Sequence, residues 1–332
     1  MLKQLTVGKV RGLQQLADTS GIFAMCAMDH RGSMQRLINK AEPEKVSYET
    51  VAEYKLDLTE GLAPASTAIL LDPLYGAAQA IASGVLPGST GLLVSLEETG
   101  YESDDRGRVT TLLPDWSVEK IKRMSASAVK ILLYYRPDLA ENAARQREVT
   151  RQVSAQCVEW DIPFLIEPIS YAISQAERDP SSFAALKTKL VVDSARELTP
   201  LGVDVLKAEF PADMQYEHDE GKLRAANELL NEASLTPWIL LSAGVAFDEF
   251  ARQVKIACQA GASGFLGGRA IWEEATHLPD ARERREWLFT VGRDRMRRLH
   301  DIAGEYGQPW WKKWLESPTE LTEVGPDWYR EY

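Results

Sequence analysis

The chain has 332 residues, 45% of them apolar and 26% charged, which supplies a large core and excludes global disorder. Lys+Arg number 38 against 49 Asp+Glu, a formal net charge of −11, so most of the surface repels nucleic acid and anionic membranes. Any anionic ligand must therefore be held by a local group of cations.

Cys26, Cys157 and Cys258 lie far apart with no CxxC, which argues against a disulfide framework or zinc ribbon and suits a reducing cytosol. MLKQLTVGKVRGLQQLADTSG has no apolar h-region and no cleavage motif, and no apolar run approaches the length of a membrane span. A cytoplasmic protein with no membrane or nucleic-acid partner is expected.

In chain order, KVRGLQQLAD predicts a helix ahead of the first strand, IFAMCAMDH (22–30). The helix KVSYETVAEYKLDLTEGLA leads to the second strand, STAILLDP (66–73), and AAQAIASG is the weakest helix of the set. GLLVSLEE (91–98) is the third strand. The long polar stretch after it, TGYESDDRGRVTTLLPDW, reads either as a lid or as a solvated excursion. The helix SVEKIKRMSA precedes the fourth strand, AVKILLYY (128–135), and DLAENAARQREVTRQVSAQCVEW follows it. PFLIEPISY (163–171), DVLKAEFP (204–211), PWILLSAG (237–244) and GFLGGRA (264–270) each precede a further helix, with Gly202, Gly261 and Gly307 as expected C-cap residues. The last of these helices is ARERREWLFTVGRDRMRRLHDIAGEYG. The tail carries Trp310, Trp311, Trp314 and Trp328, a density that predicts packing against the barrel or a neighbouring subunit.

The strands are near-continuous apolar runs, as strands buried on both faces should be. Eight of them alternating with helices predict an α/β fold, a (β/α)8 TIM barrel, in one domain over 1–332. The barrel core is expected over about 20–300, with a C-terminal extension at 308–332. The rival, a doubly wound open sheet, usually shows GxGxxG after the first strand, where this chain has DHRGSM.

Barrel enzymes place their chemistry at the C-terminal ends of the strands. Those ends carry Asp29-His30-Arg31, Asp72, Glu97-Glu98, Lys130, Glu167, Lys207 and Glu209, Ser242-Ala243-Gly244 and Gly267-Gly268-Arg269. Lys130 and Lys207 lie inside apolar strands, where an unpaired ammonium is costly. A structural ion pair of Lys207 with Glu167 or Glu209 is one reading. The other is a lysine kept neutral by desolvation and a second cation, able to attack a carbonyl and form a Schiff base. Small residues in SAGV and GGRA, with Arg269, suit a phosphate at the loops after the last two strands, or two tight packing turns. Arg31 suits a second anion at the far end of a substrate, or a salt-bridged loop. Asp72 reads as a turn cap. Of the histidines only His30 is placed for chemistry, so a His-rich zinc site does not assemble. An all-carboxylate Mg²⁺ site from Asp72, Glu97 and Glu167 stays open, with the two lysines against it.

FAMCAMDHRG, ASTAILLDPLYG, GLLVSLEETGY, AVKILLYY, DVLKAEFP, LSAGV and GGRAIW resemble, in order and spacing, the tagatose 1,6-bisphosphate aldolase (LacD) family of class I aldolases, over about residues 10–300. Sulfofructosephosphate aldolases resemble the same blocks. The resemblance implies a lyase without metal or cofactor that cleaves a ketohexose 1-phosphate with an anionic C6 group. That substrate is tagatose or fructose 1,6-bisphosphate, or in the alternative 6-deoxy-6-sulfofructose 1-phosphate. A sensor barrel that binds a phosphosugar without turnover is a further alternative, against which Lys207 and Glu167 both count. By motif, Lys207 would be the Schiff-base lysine and Glu167 the acid/base, with Asp29 and Lys130 around the imine. Ser242, Gly244, Gly268 and Arg269 would hold the C1 phosphate, and Arg31 the C6 anion. The usual DQRG is here Asp29-His30-Arg31-Gly32, which puts His30 in the substrate site beside the expected distal anion, and EPISY is closer to the sulfosugar branch. A homodimer or tetramer is expected.

Overall fold

The computed structural model describes residues 5–98, 102–104, 107–322, 324–330 and 332. Its strands are β1 (Phe23–Ala27), β2 (Ala68–Leu71), β3 (Gly91–Ser95), β4 (Glu102–Asp104), β5 (Gly107–Val109), β6 (Ala128–Tyr134), β7 (Phe164–Ile169), β8 (Val205–Ala208), β9 (Trp238–Leu241) and β10 (Gly264–Gly267). Eight of these form a closed parallel barrel in the order β1-β10-β9-β8-β7-β6-β3-β2, and β4 and β5 pair apart as an antiparallel hairpin. The protein is a (β/α)8 barrel, and every expected strand is present in shorter form. The open-sheet alternative fails on closure: β1 pairs with β10 in register from Phe23↔Gly264 to Cys26↔Gly267.

The helices are α1 (Val7–Leu16), α2 (Gly32–Ile38), α3 (Tyr48–Leu62), α4 (Ala77–Ser83), α5 (Val118–Arg123), α6 (Ala140–Glu159), α7 (Pro180–Leu198), α8 (Glu220–Ala233), α9 (Phe247–Gln259), α10 (Arg269–Thr276), α11 (Ala281–Trp287) and α12 (Arg293–Tyr306). Local chemistry starts several of them. Ser47, Asp179 and Asp219 accept the backbone N–H groups of Thr50, Ser182 and Lys222, and Pro180 fills the first helical position of α7. Gly202 ends its helix in the left-handed conformation, as expected. Gly307 does not: its φ is −77°, so α12 runs into extended chain. The expected single helix over 281–307 is divided by a π turn at Leu288–Gly292, where Gly61 of α3 lets Leu288 pack close.

Strand alternation decides what enters the barrel. Phe23, Met25 and Ala27 point inward with Leu93, Ala128, Leu165, Val205, Ile239 and Leu266, while Ala24, Cys26, Ile69, Val129 and Leu206 face the helices. The inward set forms an apolar floor. Two residues further along each strand, the same parity reaches Asp29, Lys130, Glu167 and Lys207. The charges are carried into the barrel by a period of two and stand on that floor.

Of the tail tryptophans, Trp310, Trp311 and Trp314 pack under the floor as predicted, whereas Trp328 is exposed. Trp310, Leu315 and Leu321 join Leu5, Val10, Leu13 and Leu16 against the inward set. The backbone N–H of Leu5 donates to the Leu321 carbonyl at 2.9 Å, and that of Trp310 to Gly21 at 3.0 Å. Gly21, at φ +83°, is the point of closest approach, since a Cβ there would meet the Trp311 ring. The tail therefore lies at the end of the barrel opposite the charged cluster.

The stretch after β3 contains the β4–β5 hairpin; positions 99–101, 105 and 106 of it lie outside the described residues. The Arg108 guanidinium is stacked 4.6 Å from the Tyr134 ring and 5.0 Å from Tyr171, and its carbonyl accepts from Asn142 and Gln146. The hairpin is thus fastened across the ends of β6 and β7. No helix among the described residues is long and apolar enough to cross a membrane.

Candidate active site

The end of the barrel above the floor is a cavity of about 450 Å³, within the range that encloses a small ligand. At its base stand two ammonium groups and three carboxylates. Lys207 Nζ lies 2.7 Å from Glu167 Oε1. Lys130 Nζ lies 2.7 Å from Asp29 Oδ2, 2.7 Å from Glu97 Oε1 and 3.0 Å from Glu167 Oε2. Glu167 therefore bridges the two lysines, one oxygen to each. Lys130, Glu97, Glu167 and Lys207 are buried, and the Asp29 side chain is 12% exposed.

Burial alone would push the Asp29 carboxyl upward, but Lys130, Lys207 and His30 outweigh it and hold this carboxyl far below the usual range. Burial likewise opposes ionisation of Glu167, and the two lysines overcome it, so its pKa also falls. Lys130 is desolvated, yet Asp29, Glu167 and Glu97 raise it well above an ordinary lysine. Lys130 is thus a fixed cation. Its charge faces Lys207 through Glu167 and is surrounded by carboxylates. This differs from the expected bare second cation beside Lys207: the group in direct contact with Lys207 is a carboxylate that can take a proton.

The alternative pairing partner, Glu209, is held elsewhere; its Oε2 accepts from the Ser170 backbone N–H and hydroxyl at 2.7 Å each. The carboxylate magnesium site does not assemble. Asp72 pairs with the buried Lys55 and caps the N–H groups of Leu74 and Tyr75, while the Lys130 ammonium occupies the centre that a cation would take between Asp29, Glu97 and Glu167. No group of three or more His, Cys, Asp or Glu is arranged to hold a metal among the described residues.

One end of the cavity is the junction of β9 and β10 with the segments after them. Ala243 and Gly244 are consecutive left-handed residues, at φ +48° and +79°, and turn the chain sharply after Ser242. The Arg269 guanidinium lies against Gly244, where a Cβ would come within 3.0 Å of it. Ser242 Oγ accepts the Gly268 N–H at 3.1 Å and ties the two turns together. Arg269, the first residue of α10, has no acidic partner among the described residues. The arrangement suits an anion: a guanidinium, small residues and a helix start meet at one point.

Arg31 is only 5% exposed and also lines the cavity. Its Nη2 donates to the Glu97 carbonyl at 2.7 Å, whereas Nε and Nη1 have no partner. Two unsatisfied guanidinium nitrogens in a buried site call for an anion. Arg36 and Ser33, both on α2, share this wall.

The structure brings Lys207, Glu167, Asp29, Lys130, Arg31, His30, Ser242, Gly244, Gly268 and Arg269 to one cavity. It moves one of them within it. Sequence placed His30 beside the distal anion, but its Cε1 is the atom nearest Gly268, 3.2 Å from where a Cβ would stand. The backbone turns the imidazole toward the Arg269 end, edge-on to Trp272 at 5.1 Å. Sequence reading missed Glu97 as a partner of Lys130. The available signal was parity: Leu93, Ser95 and Glu97 share the inward side.

Comparison with known proteins gives a consistent result. Residues 23–274 match the family described as DeoC/LacD family aldolase. The chain is 36% identical to a tagatose 1,6-diphosphate aldolase of Listeria monocytogenes serotype 4b (strain CLIP80459), covering 94% of this chain and 96% of that one. It is 32% identical to tagatose 1,6-diphosphate aldolase 1 of Enterococcus faecalis (strain ATCC 700802 / V583), over 92% and 97%. Among solved structures, the fold is shared with a Plasmodium falciparum fructose-bisphosphate aldolase, at TM-score 0.69 and 13% identity over 92% of this chain and 98% of that one. It is also shared with an archaeal fructose 1,6-bisphosphate aldolase, at TM-score 0.56 and 18% identity over 89% and 98%.

Proposed function

The chain belongs to the DeoC/LacD family of aldolases, and on that premise we propose that it cleaves a ketohexose 1-phosphate bearing an anionic C6 group, tagatose or fructose 1,6-bisphosphate, through an imine on Lys207. The observation that carries this reading is the contact of Lys207 with Glu167, 2.7 Å apart on the cavity floor, between a cationic group at each end. The relatives' names support the substrate class.

Lys207 gives a proton to Glu167 and its amine adds to the C2 carbonyl. Glu167 returns the proton to the departing hydroxyl, water leaves, and the iminium forms. The C4 hydroxyl then loses its proton to Glu167 and the C3–C4 bond breaks. Its electron pair flows into the iminium, leaving an enamine and releasing the aldehyde, glyceraldehyde 3-phosphate for a bisphosphate. Protonation at C3 and hydrolysis release dihydroxyacetone phosphate and restore Lys207. Lys130 holds Glu167 and Asp29 in position, and Asp29 orients the sugar hydroxyls. Arg269 with Ser242, Gly244 and Gly268 takes the C1 phosphate, and Arg31 takes the C6 anion through its unpartnered Nε and Nη1.

The same reading includes a cytoplasmic location, supported by three buried free thiols, and a homo-oligomer, supported by exposed Leu229 and Leu235. The deciding experiment is borohydride reduction in the presence of dihydroxyacetone phosphate, followed by peptide mass. An adduct on Lys207, absent in Lys207→Met, is expected; wild type without adduct overturns the imine. Competition between glyceraldehyde 3-phosphate and sulfolactaldehyde in the condensation direction then decides between phosphate and sulfonate at C6. EPISY is the sequence feature that favours the sulfonate.

A further inference from the structure

We infer that His30 is the specificity-determining residue for the phosphorylated end of the ketose, donating a ring N–H to the C1 phosphate from between Asp29 and the Gly268–Arg269 turn. This rests on the aldolase reading and assigns His30 to the opposite end of the substrate from the one its sequence position suggests.

Four observations carry it. First, Cε1, the carbon between the two ring nitrogens, is the atom of His30 nearest Gly268, so the N–C–N edge of the ring faces the turn that precedes Arg269. Glycine at 268 is what permits this approach. Second, neither nitrogen is committed within the protein. Nδ1 is buried without a partner, and its distance to Asp29 Oδ1, 3.9 Å, is too long for a hydrogen bond. Third, the ring is fixed by packing instead. Trp272 meets it at 89°, and Trp272 is itself anchored by its Nε1–H on the Ala27 carbonyl at 3.0 Å. Fourth, burial acts on His30 together with the charges of Arg269 on α10, Lys55 on α3 and Lys207 on β8, and Asp29 on its own segment opposes them. Three cations and burial against one carboxylate keep the imidazole neutral. A neutral ring adds a directed donor beside Arg269 without adding charge. A buried N–H left unsatisfied without ligand is satisfied by a phosphate oxygen and not by an unphosphorylated hydroxymethyl group that falls short of it.

The test compares dihydroxyacetone phosphate with dihydroxyacetone. Concentration dependence of imine trapping by borohydride is measured on the wild type, His30→Ala and His30→Gln. His30→Ala is expected to weaken dihydroxyacetone phosphate about 10–30-fold while leaving dihydroxyacetone within about twofold. His30→Gln, which keeps a donor, recovers most of the loss. The KM for glyceraldehyde 3-phosphate in condensation is expected to stay within about twofold in both variants. Equal losses on both ketones overturn the assignment and leave His30 a packing residue. A loss confined to the aldehyde KM returns it to the distal end. No loss in His30→Ala removes it from recognition. Failure of the wild type itself to form an adduct is a different result, and it overturns the imine reading beneath.

Discussion

The two ends of the barrel treat buried charge differently. At the floor, Lys9 meets Asp204 at 2.7 Å, and Asp204 also accepts the Phe164 N–H at 2.9 Å. At the mouth, Lys130 faces three carboxylates, Glu97 Oε2 has no partner, and Arg31 keeps two unpartnered nitrogens. Both regions are buried to a similar degree, so burial alone does not separate them. Satisfaction does. The Lys9–Asp204 pair is closed within the chain, whereas Arg31 Nε and Nη1 and Glu97 Oε2 at the mouth are left for a ligand to complete. Substitutions at the mouth should therefore move activity more than stability, and those at the floor the reverse.

The largest expected effect is at Lys207. Lys207→Met removes the nucleophile and should lower kcat/KM for fructose 1,6-bisphosphate by at least about 1,000-fold. Glu167 keeps its second contact, to Lys130, so the melting temperature should change by only about 3 °C. A large loss of stability with residual turnover would place Lys207 with the floor lysine instead. Trp310→Ala is the counterpart below. Trp310 is 1% exposed in the floor cluster, and its removal should cost about 3–5 kcal/mol in urea unfolding while kcat/KM per folded molecule stays within about twofold. A matching loss of turnover would break the separation between the two ends.

Glu97→Gln sharpens the comparison because the two readouts should move in opposite directions. It removes one of three carboxylates from Lys130 with little change of shape, and the Glu97 carbonyl that holds Arg31 remains. Less crowding of like charge should raise stability by about 0.5–1 kcal/mol. Looser placement of Lys130, and through it of Glu167, should lower kcat about tenfold. Parallel thermal melts and initial rates check both directions at once.

These residues also mark how far the sequence could be read. Lys130, Glu167 and Lys207 are legible because each interrupts an apolar strand, where a charge has few explanations. Glu97 is legible as a carboxylate at the end of its strand but not as a partner of Lys130, because only the closed barrel sets β3 beside β6 and turns Glu97 inward. Lys55 is hidden in YETVAEYKLDLTEG, where a lysine looks like part of a polar helix face; in the fold it is fully buried against Asp72 and the Met28 carbonyl. The tail was legible as packing from its tryptophans, but nothing in its composition names the end of the barrel it covers. The direction of His30 depends on the backbone after Asp29, which leaves the strand there, so parity no longer guides it.

His30 supplies an effect confined to a pH window. Its pKa is held down at about 4, against an ordinary 6.5, by burial and by Arg269, Lys55 and Lys207, with Asp29 opposing. Between those values the unfolded chain binds a proton at this residue and the folded chain does not. The unfolded state is therefore favoured as pH falls from 6.5 toward 4, and the contribution is fully present above 6.5. The lowered carboxyls Asp29 and Glu167 lose their contribution at lower pH, because in the upper part of this window they are ionised in both states. The difference in unfolding free energy between wild type and His30→Gln should consequently change by about 2 kcal/mol between pH 7 and pH 4.5, with the wild type losing more. A pH-independent difference would mean that the imidazole charges freely in the folded protein, and His30 would then belong with the solvated surface and not with the unsatisfied groups of the mouth.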